Sequence, residues 1–269
     1  MPQLETQDLS VKAQKKLTNF FAHVSRASQR ALLLDYDGTL APFSEDRDRA
    51  LPYPPVPALL DRIRTSTNTR LVVVTGRRAF DIDLLLGLKH IEIWGCHGLS
   101  RLRTDGTYEL PNIDEEPLKR ISEADEMLRE EGLSDQLEFK PGATAIHWRG
   151  LEENASQIAH TVECIWSRLS SRKGLQLLRF DGGMEIRVAA GDKGDAVRTI
   201  LSEMGHGAAV AYLGDDRTDE DAFAALQGYG LSILVHQAPR PTLADLWIRP
   251  PEGVLAFLND WLTACGGNA

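Results

Sequence analysis

Four short apolar runs constrain this chain more than anything else in it: Ala31-Leu32-Leu33-Leu34, Leu71-Val72-Val73-Val74, residues 208–213 and residues 231–235. Each is too short for a core helix. Three are apolar throughout and the fourth is broken only by Ser232, rather than apolar at every second position, so both faces of each segment need cover. Strands buried on both faces belong to the middle of a parallel sheet. Between the runs lie stretches with helical spacing, at 58–65, from Arg77 to Leu86, at 193–204 and up to about Leu226. A further strand is expected at 91–95, a short last one at 246–248 and a closing helix at 254–262. Strand alternating with helix predicts an α/β fold, a parallel sheet covered by helices. Leu17, Phe20, Phe21 and Val24 fall at helical spacing in the leader 1–30 and predict one helix packed on that core.

The middle of the chain has another texture. A hairpin is expected at 101–109 around Asp105-Gly106, and an exposed helix at 116–131. Strands at 137–140 and 143–149 flank Pro141-Gly142, a helix follows at 152–170, and a second hairpin joins 175–180 to 184–188. Apolar and polar residues alternate here, as in a sheet with one wet face. The division expected is a core of 1–100 and 189–269 with an inserted α+β domain at 101–188. Alternate strand residues share a face. Glu138 therefore points with Lys140, His147 with Arg149, and Glu185 with Arg187. Such a face is either a solvated set of ion pairs or a surface for a polyhydroxylated ligand.

Composition narrows the partners. The formal net charge is −9 and the sequence pI is near 5.3, which argues against nucleic acid or an anionic membrane as partner. Cys96, Cys164 and Cys265 are three in number and widely spaced, fitting neither a disulfide framework nor a zinc motif. They read as reduced thiols of a cytoplasmic protein. No apolar signal core opens the sequence, and no apolar run is long enough to cross a bilayer.

Chemistry-bearing residues gather where strands end. Asp35 and Asp37 follow the first run and precede Gly38. Thr75-Gly76-Arg77 follows the second. Lys193 opens a helix that Asp192 caps, with Asp195 in the capping-box position. Asp215, Asp216 and Asp219 follow the strand at 208–213. Each has a plain reading alone: a polar turn, a loop, a surface lysine, an acidic helix cap. Parallel sheets, however, bring their carboxyl ends to one edge, where ligands bind. Clustered carboxylates there need a cation, and a hard ion such as Mg²⁺ suits oxygen donors. Lys193, the Thr75 hydroxyl and backbone amides suit phosphate oxygens. This is equipment for phosphoryl transfer.

Asp35-Tyr36-Asp37-Gly38-Thr39-Leu40, Thr75-Gly76-Arg77, Lys193 and Gly214-Asp215-Asp216 resemble the four motifs of the haloacid dehalogenase superfamily of phosphatases. Residues 214–223, the Glu138-Phe139-Lys140 triplet and His147-Trp148-Arg149 resemble its trehalose-6-phosphate phosphatase branch. The resemblance implies a Rossmann-like core with an inserted α+β cap, and sugar-phosphate hydrolysis. It implies Asp35 as nucleophile and Asp37 as acid and base. Thr75, Gly76 and Lys193 would hold phosphate, and Mg²⁺ would be held by Asp35, Asp37 and Asp215, supported by Asp216 and Asp219. Glu138, Lys140 and Glu185 would grip sugar hydroxyls, with Arg77, His97 and Arg149 as further substrate contacts. Ser100 stands where the branch commonly has an acid. Another glycosyl phosphate, such as glucosylglycerol phosphate or a glycosylglycerate phosphate, and a non-catalytic sensor are the alternatives. A functional link to a trehalose-6-phosphate synthase is also implied.

Overall fold

The computed structural model describes residues 11–44, 49–148, 151, 153–170, 174–180 and 182–266. In chain order the first part comprises α1 (Val11–Val24), β1 (Arg30–Leu34), α2 (Pro55–Ser66), β2 (Thr69–Val74), α3 (Ala79–Leu86), β3 (Glu92–Gly95), β4 (Ser100–Leu102) and β5 (Tyr108–Glu109). Then come α4 (Glu115–Glu130), β6 (Leu137–Lys140), β7 (Ala143–His147), α5 (Ala155–Ser170), β8 (Leu175–Phe180) and β9 (Gly183–Val188). The chain closes with α6 (Lys193–Met204), β10 (Ala209–Gly214), α7 (Glu220–Leu226), β11 (Leu231–Val235), β12 (Leu246–Ile248) and α8 (Glu252–Ala264).

Two compact units divide these elements: Met1–Glu109 with Gly191–Ala269, and Leu110–Ala190. The first holds an eight-stranded sheet in the order β12-β11-β10-β1-β2-β3-β4-β5. From β12 to β3 all pairings are parallel. Period-two alternation sorts the strand residues into two layers. Leu32, Leu34, Val73, Leu213 and Ile233 join one core with Phe20, Phe21, Leu60, Phe257 and Trp261 from α1, α2 and α8. Ala31, Leu33, Val72, Val210 and Tyr212 join the other with Val197, Ile200 and Phe223 from α6 and α7. Burying one such Leu or Phe contributes roughly 1.5–3 kcal/mol. Apolar cover on both faces is therefore what makes the four runs strands.

Local signals set the ends. Pro55 opens α2, where its missing N–H costs nothing. Gly87, at φ 65°, closes α3. Asp192 caps α6 by accepting from Asp195 N–H at 2.7 Å, while Asp195 accepts from Asp192 N–H at 3.2 Å.

The hairpin at 101–109, expected to begin the insertion, belongs instead to the core sheet. β4 pairs antiparallel with β3, and β5 with β4. Ser100, Arg101 and Leu102 are all buried. Arg101 tolerates burial because its guanidinium meets Glu92 at 2.8 Å and Glu203 at 2.8 Å.

The second unit carries a four-stranded antiparallel sheet in the order β6-β7-β9-β8. Its register pairs Glu138 with Ala145 and Ala145 with Glu185, and Ala143 with Lys140 and Arg187. The charged side chains thus share one face. Ile146, Met184 and Ile186 are buried on the other.

Candidate active site

β1, β2 and β10 run in parallel register, Leu34 lying beside both Leu213 and Val73. Their carboxyl ends therefore align, and the residues that follow them meet. Asp35 N–H donates to Leu213 O at 2.8 Å, prolonging the ladder by one bond and fixing the aspartate rigidly. Gly38, at φ 77°, turns the chain back, with its N–H on Ala41 O at 2.8 Å. A Cβ at Gly38 would lie 2.1 Å from Asp215 Oδ2, so only glycine fits beside that carboxylate.

Lys193, at the first turn of α6, is buried and donates to Asp35 Oδ1 and to Asp219 Oδ1, both at 2.8 Å. Carboxylate oxygens of Asp35, Asp215 and Asp219 lie within 4.8 Å of one another, all three residues buried. Three acids thus share one buried ammonium. Burial raises the Asp35 pKa from 3.8 to about 7; Lys193 opposes this, and Asp219 and Asp37 add to it. Burial, then repulsion from Asp35 and Asp219, pushes Asp215 well above the ordinary carboxylate range. Burial alone would lower the Lys193 pKa, but attraction from Asp219 and Asp35 outweighs it and the pKa is raised. The cluster is short of positive charge, which is the donor chemistry a divalent ion fits.

Asp219 has a different part from the other two. Its Oδ1 accepts from Lys193 and, at 2.6 Å, from Tyr212 OH. Its Oδ2 accepts from the N–H groups of Asp215 at 3.1 Å and Asp216 at 3.0 Å. A carboxylate has about four acceptor positions, and these four donors use them. Asp219 therefore organises the loop as well as standing in the acidic cluster. Asp216, expected near the metal, contributes no oxygen to the cluster found among the described residues.

Thr75, Gly76, Arg77 and His97 come together on the other side of Asp37. Thr75 Oγ1 accepts from Arg77 N–H at 3.2 Å, which leaves the hydroxyl proton to donate elsewhere. His97 N–H donates to Thr75 O at 2.8 Å. A Cβ at Gly76 would sit 2.5 Å from the His97 ring, so the glycine lets the two loops touch. Arg77, expected as a substrate contact, grips Asp37 with two bonds, Nε to Oδ2 at 2.7 Å and Nη2 to Oδ1 at 2.6 Å. A bidentate fork of this kind fixes both position and plane of the carboxylate.

In the second unit Lys140 Nζ donates to Glu185 Oε2 at 2.6 Å and lies 3.6 Å from Glu138 Oε2. His147 Nε2 lies 3.0 Å from that same Glu138 oxygen. The expected sharing of a face thus holds for Glu138, Lys140 and Glu185. Arg149 lies outside the described residues.

A family model described as trehalose-phosphatase matches residues 33–245. The chain belongs to the trehalose-phosphatase family. It is, as such, a phosphoric monoester hydrolase. A protein of Arabidopsis thaliana named probable trehalose-phosphate phosphatase E is 30% identical over 256 residues, covering 88% of this chain and 71% of the relative. The solved C-terminal domain of C. albicans trehalose-6-phosphate phosphatase superposes with a TM-score of 0.72 at 18% identity, covering 94% of this chain and 97% of that one. A haloacid dehalogenase-like hydrolase from Bacteroides thetaiotaomicron superposes at 0.62 and 16% identity, covering 86% and 99%. These likenesses establish the haloacid dehalogenase fold.

Within this trehalose-phosphatase family member, sequence reasoning missed two groups at the site. Tyr212 sits inside an apolar run and reads as core, yet its hydroxyl holds Asp219. Arg240 contacts the backbone of the acid loop from 24 and 25 residues away, beyond any local motif.

Proposed function

We propose that the chain hydrolyses trehalose 6-phosphate to trehalose and phosphate through an aspartyl-phosphate on Asp35. The single observation that supports this most is the buried Lys193 shared between Asp35 and Asp219, with Asp215 alongside. It leaves the Asp35 carboxyl rigid, paired with a cation and placed at a strand end. An Asp35 oxygen attacks phosphorus as the bond from phosphorus to the sugar oxygen breaks. Asp37 gives a proton to that leaving oxygen. It then takes one from the water that cleaves the acyl phosphate, returning both aspartates to their starting state. The Arg77 fork holds the Asp37 carboxylate for these transfers. Lys193, the Thr75 hydroxyl and the Gly76 amide neutralise the phosphoryl oxygens.

On this reading Mg²⁺ would be held by the Asp35 and Asp215 carboxylates and the Asp37 carbonyl, with Asp216 in support. When bound, it supplies the positive charge that three buried carboxylates and a phosphate lack. The second unit is then the cap, and Glu138, Lys140 and Glu185 bind sugar hydroxyls, as alternating acceptors and donors can. The printed names of the relatives support trehalose as that sugar.

A substrate panel tests the reading. Phosphate release is measured from trehalose 6-phosphate, glucosylglycerol phosphate and a glycosylglycerate phosphate at equal concentration. Trehalose 6-phosphate should give the highest kcat/KM. A far higher value for another member would overturn the substrate assignment, and binding without release would favour a sensor.

A further inference from the structure

The peptide units of Asp215 and Asp216 are held from two sides. Asp219 takes both N–H groups. Arg240, in the loop between β11 and β12, takes both carbonyls: its Nη2 donates to Asp215 O at 3.1 Å and to Asp216 O at 2.9 Å. The other nitrogen, Nη1, donates to Glu220 Oε1 at 2.5 Å and to Pro241 O at 3.0 Å. Glu220 is itself fixed, its Oε2 accepting from Leu243 N–H at 2.7 Å and Thr242 Oγ1 at 3.2 Å. Arg240 and Glu220 side chains are each only 22% exposed.

The arrangement answers a mechanical need. Asp215 stands against Asp35 and Asp219, two like charges, in a buried place. Left to itself its loop would swing the carboxylate toward water. A planar guanidinium reaches two consecutive carbonyls with one nitrogen and a carboxylate with the other, whereas an ammonium is a single point. We propose that Arg240, oriented by Glu220, is a positioning residue that holds the Asp215 carboxylate inward for a divalent cation. This rests on the metal reading given above. It assigns a role in cation affinity to a residue that touches neither metal nor substrate.

The test is Mn²⁺ binding to the metal-stripped chain, followed by the electron paramagnetic resonance signal of free Mn²⁺. Thermal unfolding is measured alongside. Arg240→Gln should weaken binding by about 10- to 100-fold, the usual cost of losing a group that orients a ligand. The metal-free unfolding temperature should stay within about 3 °C of wild type. Arg240→Lys should fall between the two, and Glu220→Gln should weaken binding by less than Arg240→Gln. Folded Arg240→Gln with wild-type Mn²⁺ affinity would overturn the proposal. Should Arg240→Gln not fold, Glu220→Gln decides, and unchanged affinity there is equally fatal. Asp215→Asn separates the two readings. If it abolishes binding while Arg240→Gln does not alter it, only the Arg240 role falls. If Asp215→Asn binds as wild type does, the metal reading falls with it.

Discussion

Two ion clusters among the described residues of the first unit differ in charge balance, and one of them, through Glu203, reaches solvent. Near β3 and β4, Glu92 and Glu203 face Arg70 and Arg101. Arg70 makes a fork on Glu92 at 2.8 and 2.9 Å, Arg101 bridges Glu92 and Glu203, and the Trp94 indole donates to Glu92 at 2.8 Å. Glu109 lies 3.9 Å from Arg101 as well and pairs with Arg103, so three acids meet three cations. At the ends of β1 and β10, Lys193 pairs with Asp35 and Asp219, with Asp215 beside them, and is the one cation bonded to these acids' carboxylates among the described residues. Three acids meet one. Burial opposes the charge on Glu203, yet hydrogen bonds from Arg101 and Arg70 lower its pKa. The pKa values of Asp35 and Asp215 move the other way. A balanced cluster is a fastener: it ties β4 to the sheet and to α6. An unbalanced one is held short of charge by the fold around it, and on the proposed reading that deficit is where a cation and the reaction belong.

Breaking each cluster should therefore have opposite consequences. Asp35→Asn should reduce phosphate release from trehalose 6-phosphate by about 10⁴-fold or more, as loss of a nucleophile does. Because it also removes one repelling charge, the metal-free protein should unfold at the same or a higher temperature. Phosphate assay and thermal denaturation check both halves, and a clear drop in unfolding temperature would count against the charge deficit. Arg101→Ala should do the reverse. It leaves Glu92 and Glu203 with Arg70 only, so stability should fall by about 3–5 kcal/mol. The activity of the molecules that remain folded should be near wild type. Denaturant titration beside kcat measurement distinguishes this from a direct role in catalysis.

The smallest effect is on pH dependence, and the two clusters tilt it in opposite senses. Asp35 titrates higher folded than unfolded, so its contribution is full below about 4 and is lost as pH rises through about 7. Glu203 titrates lower folded than unfolded, so its contribution is present above the unfolded value and lost as pH falls through the folded one. Its partial exposure makes the second term small. The EDTA-treated protein should lose several degrees of unfolding temperature between pH 5 and pH 7.5, and Mg²⁺ should return most of them. A profile that is flat in EDTA, or unaffected by Mg²⁺, would remove the contrast between the clusters.

Much of this architecture is legible in the chain itself, for local reasons. Leu32-Leu33-Leu34 has no polar face, so it has to be a central strand. Asp35 and Asp37 then have to lie at its end, before the turn that Gly38 permits. Asp192 announces the start of α6 and so the place of Lys193. What stays hidden depends on distant partners. Arg101 lies in an alternating segment that resembles a wet-faced hairpin. Its burial is made possible by Glu203, 102 residues away. The four donors that Asp219 takes, which tie the loop together, have no local signature either. The fork of Arg77 on Asp37, 40 residues away, is likewise invisible in the sequence. Arg240 belongs to no local motif, because the carbonyls it binds carry no side-chain signature.

The most direct test of the charge deficit is phosphate release from trehalose 6-phosphate by the EDTA-stripped chain, before and after Mg²⁺ is added. The balance of the two clusters predicts no measurable release in EDTA and full recovery on adding Mg²⁺. Release that proceeds equally well in EDTA would contradict it.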